Sequence, residues 1–124
     1  MHLKRIDTVL KPDFVIQEER LTLLIQALEK LKKEQPLQYI IGKTEFFGYP
    51  FFVDKNTLIP RPETEELVEW VLKDVQDKRQ KNREEQDKFL QILDIGTGSG
   101  CIPISLAKNL SNVSISAIDV SLDA

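Results

Sequence analysis

The chain has 124 residues, with 17 Lys and Arg against 20 Asp and Glu, a formal net charge of −3 and an isoelectric point near 5.2. This balance argues against direct nucleic-acid binding, because neutralising phosphates calls for clustered cationic side chains. One cysteine excludes an internal disulfide, one histidine leaves no His/Cys cluster for a metal, and the absence of a long apolar run or a signal-peptide pattern indicates neither spanning nor secretion, so a cytoplasmic place without membrane contact is expected.

In chain order, residues 3–10 read as a short helix and the stretch up to about residue 35 as a longer one. Leu21, Leu24, Ile25, Leu28 and Leu31 recur at helical spacing with Glu, Lys and Gln opposite. This N-terminal helical segment is delimited as residues 1–38. Phe and Tyr side chains broken by Gly42, Gly48 and Pro50 mark residues 39–54 as a β-hairpin, within a linker over residues 39–57. Pro60 and Pro62 then fix φ on both sides of Arg61, and Pro62 suits the first position of a helix over residues 63–77. Glu63, Glu65 and Glu66 fall in its first turn, where carboxylates complement the helix dipole. Leu67, Val68, Val71, Leu72 and Val75 share one face, flanked by Trp70. Residues 76–88 contain no apolar side chain and read as a solvated helix extension or a mobile loop.

The run I-L-D-I-G-T-G-S-G, from Ile92 to Gly100, carries the chemistry. An apolar strand ending near Asp94 meets three alternating glycines, which let the backbone turn sharply and approach a ligand closely. A helix follows, with Pro103 in its first turn and Ile104, Ala107 and Leu110 at helical spacing, and Cys101 reads as a small buried hydrophobe. Residues 113–118 alternate apolar side chains with serine and end at Asp119, a second strand closed by a carboxylate. The dinucleotide fingerprint is G-x-G-x-x-G with an acid some 20 residues on. The pattern here is G-x-G-x-G, which suits a cofactor without phosphates. In S-adenosylmethionine the loop would pass under the adenosine and methionine portions, with Asp119 accepting hydrogen bonds from the ribose hydroxyls. The competing reading is a glycine turn kept only for tight packing.

Four motifs stand in a fixed order: P-L-Q-Y-I-I-G from Pro36, F-F-G from Phe46, I-P-R-P-E-T-E from Ile59 and D-I-G-T-G-S-G-C-I from Asp94. Together they resemble the HemK/PrmC family of protein-(glutamine-N5) methyltransferases, which use S-adenosylmethionine to methylate the glutamine of the Gly-Gly-Gln motif in peptide-chain release factors. The resemblance runs from about Pro36 to Asp119. It implies an α/β fold in which residues 58–124 form part of a class I, Rossmann-like methyltransferase domain, its first βαβ unit, with S-adenosyl-L-methionine as cofactor and a release factor as protein partner, helped by the N-terminal helices. It assigns cofactor binding to Gly96, Thr97, Gly98, Ser99 and Gly100, ribose recognition to Asp119, and a carboxylate close to the cofactor to Asp94. Arg61 and Glu63 are weaker candidates for the methionine end of the pocket or its wall, and for the acids helix capping is the favoured reading.

One departure from the family is as informative as the match. Its members carry N-P-P-Y, or a close variant, at the end of the fourth strand, and here Asn56, Asn82, Asn109 and Asn112 are each followed by something else. An amide nitrogen is a poor nucleophile that a site must orient with paired acceptors. No catalytic residue is therefore expected within these residues. The chain reads as the N-terminal portion of a methyltransferase, expected to be inactive alone. The alternatives are amino methylation of a ribosomal-protein glutamine or of adenine in nucleic acid, or a non-catalytic fragment.

Overall fold

A computed structural model of the chain describes residues 6–10, 13, 15–82 and 88–123. It divides into two compact units, Met1–Pro36 and Leu37–Ala124.

The first unit holds α1 (Asp7–Leu10) and α2 (Glu18–Lys32). Residues 3–5 of the expected first helix lie outside the described residues. α2 opens with Glu18 and Glu19 and closes with Lys30 and Lys32, charges that complement the helix dipole at both ends. It stops where Glu34 turns to a φ of 60° and the Gln35 N–H reaches back to the Lys30 carbonyl, with Pro36 next. The apolar stripe expected on α2 exists, but none of its residues is buried: Leu21, Leu24, Ile25, Leu28 and Leu31 are each 42–52% exposed.

The second unit runs α3 (Leu37–Ile41), β1 (Lys43–Phe46), β2 (Tyr49–Phe52), α4 (Glu63–Lys81), β3 (Leu90–Ile95), α5 (Cys101–Asn109) and β4 (Val113–Ile118). Residues 39–41, expected in the hairpin, are helical instead. Pro36 precedes this short helix, and Gly42, at a φ of 73°, ends it by donating its N–H to the Gln38 carbonyl at 2.7 Å. β1 and β2 then pair antiparallel, Phe46 opposite Tyr49, around the two-residue turn Phe47–Gly48. Both turn residues have positive φ, 52° and 74°, as a turn matching the strand twist requires. A bulky side chain rarely accepts that conformation. Here the Phe47 N–H donates to Glu65 Oε1 of α4 at 2.9 Å, and the ring packs against the core, which together hold the turn.

That core consists of Phe46, Phe51, Val68, Cys101 and Leu106, so the hairpin, α4 and α5 bury one another. The Phe46 and Phe51 rings meet edge to face with centroids 6.2 Å apart. Fully burying such side chains contributes roughly 1.5–3 kcal/mol each. The Lys108 ammonium lies over the Tyr49 ring at 5.1 Å and adds a second tie between α5 and the hairpin. α4 continues to Lys81, beyond the expected end at residue 77, helped by the Asp74–Lys78 pair at 2.7 Å. The Arg79 guanidinium donates to the Lys88 and Ser111 carbonyls, tying this polar extension to the start of β3 and the turn before β4. Residues 83–87 of the expected solvated stretch lie outside the described residues.

β3 and β4 pair in parallel, with Ile92 beside Ile115 and Ile95 beside Ile118. Ile92 and Ile115 pack on the core, whereas Leu93, Ile95 and Ile118 of the opposite face are exposed. On α5 the buried positions are Cys101, Pro103, Ser105 and Leu106, while Ile104 and Ala107 face outward. A helix apolar nearly all round has no unique inward stripe, and the core chose the face. The architecture is mixed α/β, and none of the described helices is long and apolar enough to cross a membrane.

Candidate functional site

The glycine loop joins β3 to α5, and its geometry follows from its composition. Gly96, Gly98 and Gly100 have φ of 78°, 52° and 72°. A residue with a Cβ pays about 1–2 kcal/mol to enter this left-handed region. The loop entrance is pinned to the end of β4, because the N–H groups of Gly96 and Thr97 donate to the Ile118 carbonyl at 2.8 and 3.1 Å. Gly100 donates to the Thr97 carbonyl at 3.0 Å and serves as the residue from which α5 starts.

The same end of β4 delivers Asp119. Its Oδ2 accepts the Gly98 N–H at 2.7 Å and its Oδ1 accepts the Ser121 N–H at 2.8 Å. These bonds, that from Ser121 first and that from Gly98 second, hold the carboxyl below its ordinary range against the upward push of desolvation. Asp119 is thus a half-buried carboxylate drawn onto the loop, with an unused lone pair on each oxygen.

Room for a ligand separates the two readings of the glycines. A Cβ at Gly96 or Gly98 would meet nothing within 4 Å, whereas one at Gly100 would lie 3.2 Å from Ile104 Cδ1. Tight packing therefore accounts for Gly100 alone. Gly96 and Gly98 leave bare backbone beside open space. Three side-chain oxygens in or beside the loop are buried with no hydrogen-bond partner: Asp94 Oδ2, Thr97 Oγ1 and Ser99 Oγ. A buried polar atom left unmade costs about 1–3 kcal/mol, so such atoms fit a ligand that brings donors and acceptors of its own. The Ser99 hydroxyl makes no hydrogen bond of ordinary geometry, yet it lies close enough to the Cys101 thiol to offset part of the rise that burial imposes there. Cys101 itself is buried in the core, where a raised thiol is a poor nucleophile.

The structure brings Asp94, Gly96, Thr97, Gly98, Ser99, Gly100 and Asp119 together at the ends of β3 and β4. Arg61 and Glu63 stand exposed before and at the start of α4, and among the described residues no hydrogen bond joins either to the loop. Glu63 lines a shallow groove on α4 with Glu66, Leu67, Glu69, Trp70 and Lys73. Two contacts that hold the site's surroundings escaped the sequence reading. The Tyr39 hydroxyl donates to the Thr57 carbonyl at 2.7 Å, and Glu65 accepts from Phe47. Neither has a local signal, since both partners are 18 residues apart. The Asp119–Ser121 bond does have one: a carboxylate accepting the N–H two residues on is a habit of Asp.

No family model matches the chain. It is, however, 57% identical over 119 residues to the release factor glutamine methyltransferase of Flavobacterium psychrophilum, covering 96% of this chain and 40% of that protein. Proteins of the same name from Nitratidesulfovibrio vulgaris and Bacteroides thetaiotaomicron are 39% identical over 124 residues and 40% identical over 119 residues; these matches cover 100% and 96% of this chain and 39% of each relative. The chain spans about two-fifths of the length of the curated relatives it matches. Over the residues it spans, the chain matches release factor glutamine methyltransferases of the HemK/PrmC family.

Proposed function

We propose that the chain carries the S-adenosyl-L-methionine-binding part of an enzyme that methylates the glutamine side-chain nitrogen of the Gly-Gly-Gln motif in peptide-chain release factors. On this reading, β3, the glycine loop, α5 and β4 are the first βαβ unit of a doubly wound class I methyltransferase sheet, working in the cytoplasm. The observation that carries it is the pairing of Asp119 with Gly98 beside glycines whose bare backbone faces open space. Support comes from relatives named for release factor glutamine methylation.

The residues have separable tasks. Asp119, ionised at neutral pH, accepts hydrogen bonds from the two ribose hydroxyls through its remaining lone pairs. Gly96 and Gly98 let the cofactor approach the backbone more closely than any side chain would permit. Thr97 Oγ1 and Asp94 Oδ2 supply polar contacts that the protein alone leaves unmade. When bound, the cofactor supplies an electrophilic methyl on a sulfonium. Arg61 and Glu63, exposed where α4 begins, remain candidates for its methionine end.

Calorimetric titration of the chain with S-adenosylhomocysteine and, separately, with NAD tests the assignment. Binding of the former and not the latter is the expected outcome. A preference for NAD, or no binding of either, refutes it.

A further inference from the structure

The hydrogen bond between Asp119 and Gly98 spans 21 residues and joins the end of one strand to the middle of the loop that follows another. Gly98 has no packing neighbour within reach of a Cβ, so its left-handed backbone is not held by contact with side chains. Among the described hydrogen bonds, its N–H goes to Asp119 alone. Asp119 in turn is braced by the Ser121 N–H at 2.8 Å, which orients the carboxylate so that Oδ2 points to the loop. The loop's entrance and its α5 end have backbone ties of their own, through the Ile118 and Thr97 carbonyls. Its midpoint depends on this one carboxylate.

We propose that Asp119 is a positioning residue as well as a ribose acceptor: it latches the middle of the glycine loop through the Gly98 N–H and so shapes the surface on which the nucleoside lies. The proposal rests on the cofactor reading above. The two tasks are compatible, because each carboxylate oxygen uses one lone pair on the protein and keeps one for a neighbouring hydroxyl of a cis-diol. A carboxylate that served the ribose alone would gain nothing from a ligand without hydroxyls. A latch improves the fit of such a ligand too, since the loop is already in place when it arrives.

The test pairs a variant with a ligand change, in the manner of a double-mutant cycle. Affinities of the 124-residue chain and of its Asp119→Ala variant for S-adenosylhomocysteine and for its 2′,3′-dideoxy analogue are measured by chemical-shift titration, and the Gly98 amide is followed in the chain without added ligand. We expect the variant to weaken the dideoxy analogue by about tenfold and the parent nucleoside by more. Without ligand, its Gly98 amide proton should move upfield and exchange faster. Equal affinity of wild type and variant for the dideoxy analogue overturns the latch, and so does an unmoved Gly98 amide. If the wild type binds neither nucleoside, the cofactor reading fails while the amide measurement still decides the latch. Should Asp119→Ala not fold, Asp119→Asn, which keeps one acceptor oxygen and drops the charge, is read the same way with smaller changes.

Discussion

At Gly98 a side chain would face open space yet would have to take a φ of 52°. The two demands can be told apart. Gly98→Val should lose about 1–2 kcal/mol of stability to backbone strain and lose cofactor binding altogether, because the isopropyl group occupies the ligand's side of the loop. Parallel melting and titration check this, and a variant that melts early but binds normally would mean that no ligand lies against Gly98. Asp119 makes a prediction in pH. Its carboxyl is held low by the Ser121 and Gly98 N–H groups, so the folded state favours the ionised form. The contribution to stability is therefore complete above the ordinary Asp value of 3.8 and is lost as pH falls through the lower folded value. Asp119→Asn should flatten that acid limb, as read from urea midpoints across the range. An acid limb identical to wild type would mean that the two N–H bonds do not persist in solution.

The hairpin and α4 show how an element is placed by contacts its own residues do not announce. Carboxylates in the first turn of α4 were expected to complement its dipole and stand there, and Glu65 in addition accepts the Phe47 N–H of the hairpin. Phe46, 1% exposed, sits at the junction of β1 with α4 and α5. Phe46→Ala should cost about 3–5 kcal/mol, a large share of the roughly 5–15 kcal/mol that stabilises a domain. Glu65→Ala should cost about 1–3 kcal/mol, with Glu65→Gln recovering part of it by keeping an acceptor oxygen. Denaturant unfolding of the three variants gives the order, and a Glu65→Ala chain as stable as wild type would show that the Phe47 turn needs no such acceptor. The positions of Gly48 and Pro50 made the hairpin legible. The helical turn at Leu37–Ile41 was not, because Tyr39, Ile40 and Ile41 have strand-like propensities that the tertiary setting overrode.

For the whole molecule, the decisive matter is the acceptor. No Asn-Pro-Pro occurs in these 124 residues, so on the proposed reading the groups that orient the glutamine amide are not expected among them. Proximity and orientation account for roughly 7–11 kcal/mol of a barrier, and most of that contribution is forfeited without an acceptor site. The chain is therefore expected to transfer no labelled methyl to a peptide containing Gly-Gly-Gln when assayed beside the release factor glutamine methyltransferase of Flavobacterium psychrophilum. Turnover above background would place the acceptor-orienting groups within the present residues.

The order strand, glycine loop, helix, strand, carboxylate was readable from the chain alone, because each step is a property of near neighbours: an apolar run for β3, alternation for β4, a helical period for α5, and glycine at the three positive-φ positions of the loop. The exposed stripe of α2 and the outward-facing Ile104 and Ala107 were not readable in the same way, since periodicity reports that a face is apolar and not whether anything covers it. Only the tertiary structure decided that Glu65 serves a turn 18 residues away, that Ser105 and Leu106 join Cys101 in the inner face of α5, and that Asp119 reaches back 21 residues to the Gly98 N–H. Each of these contacts depends on where a shared core sets two distant pieces of backbone, which no local pattern encodes.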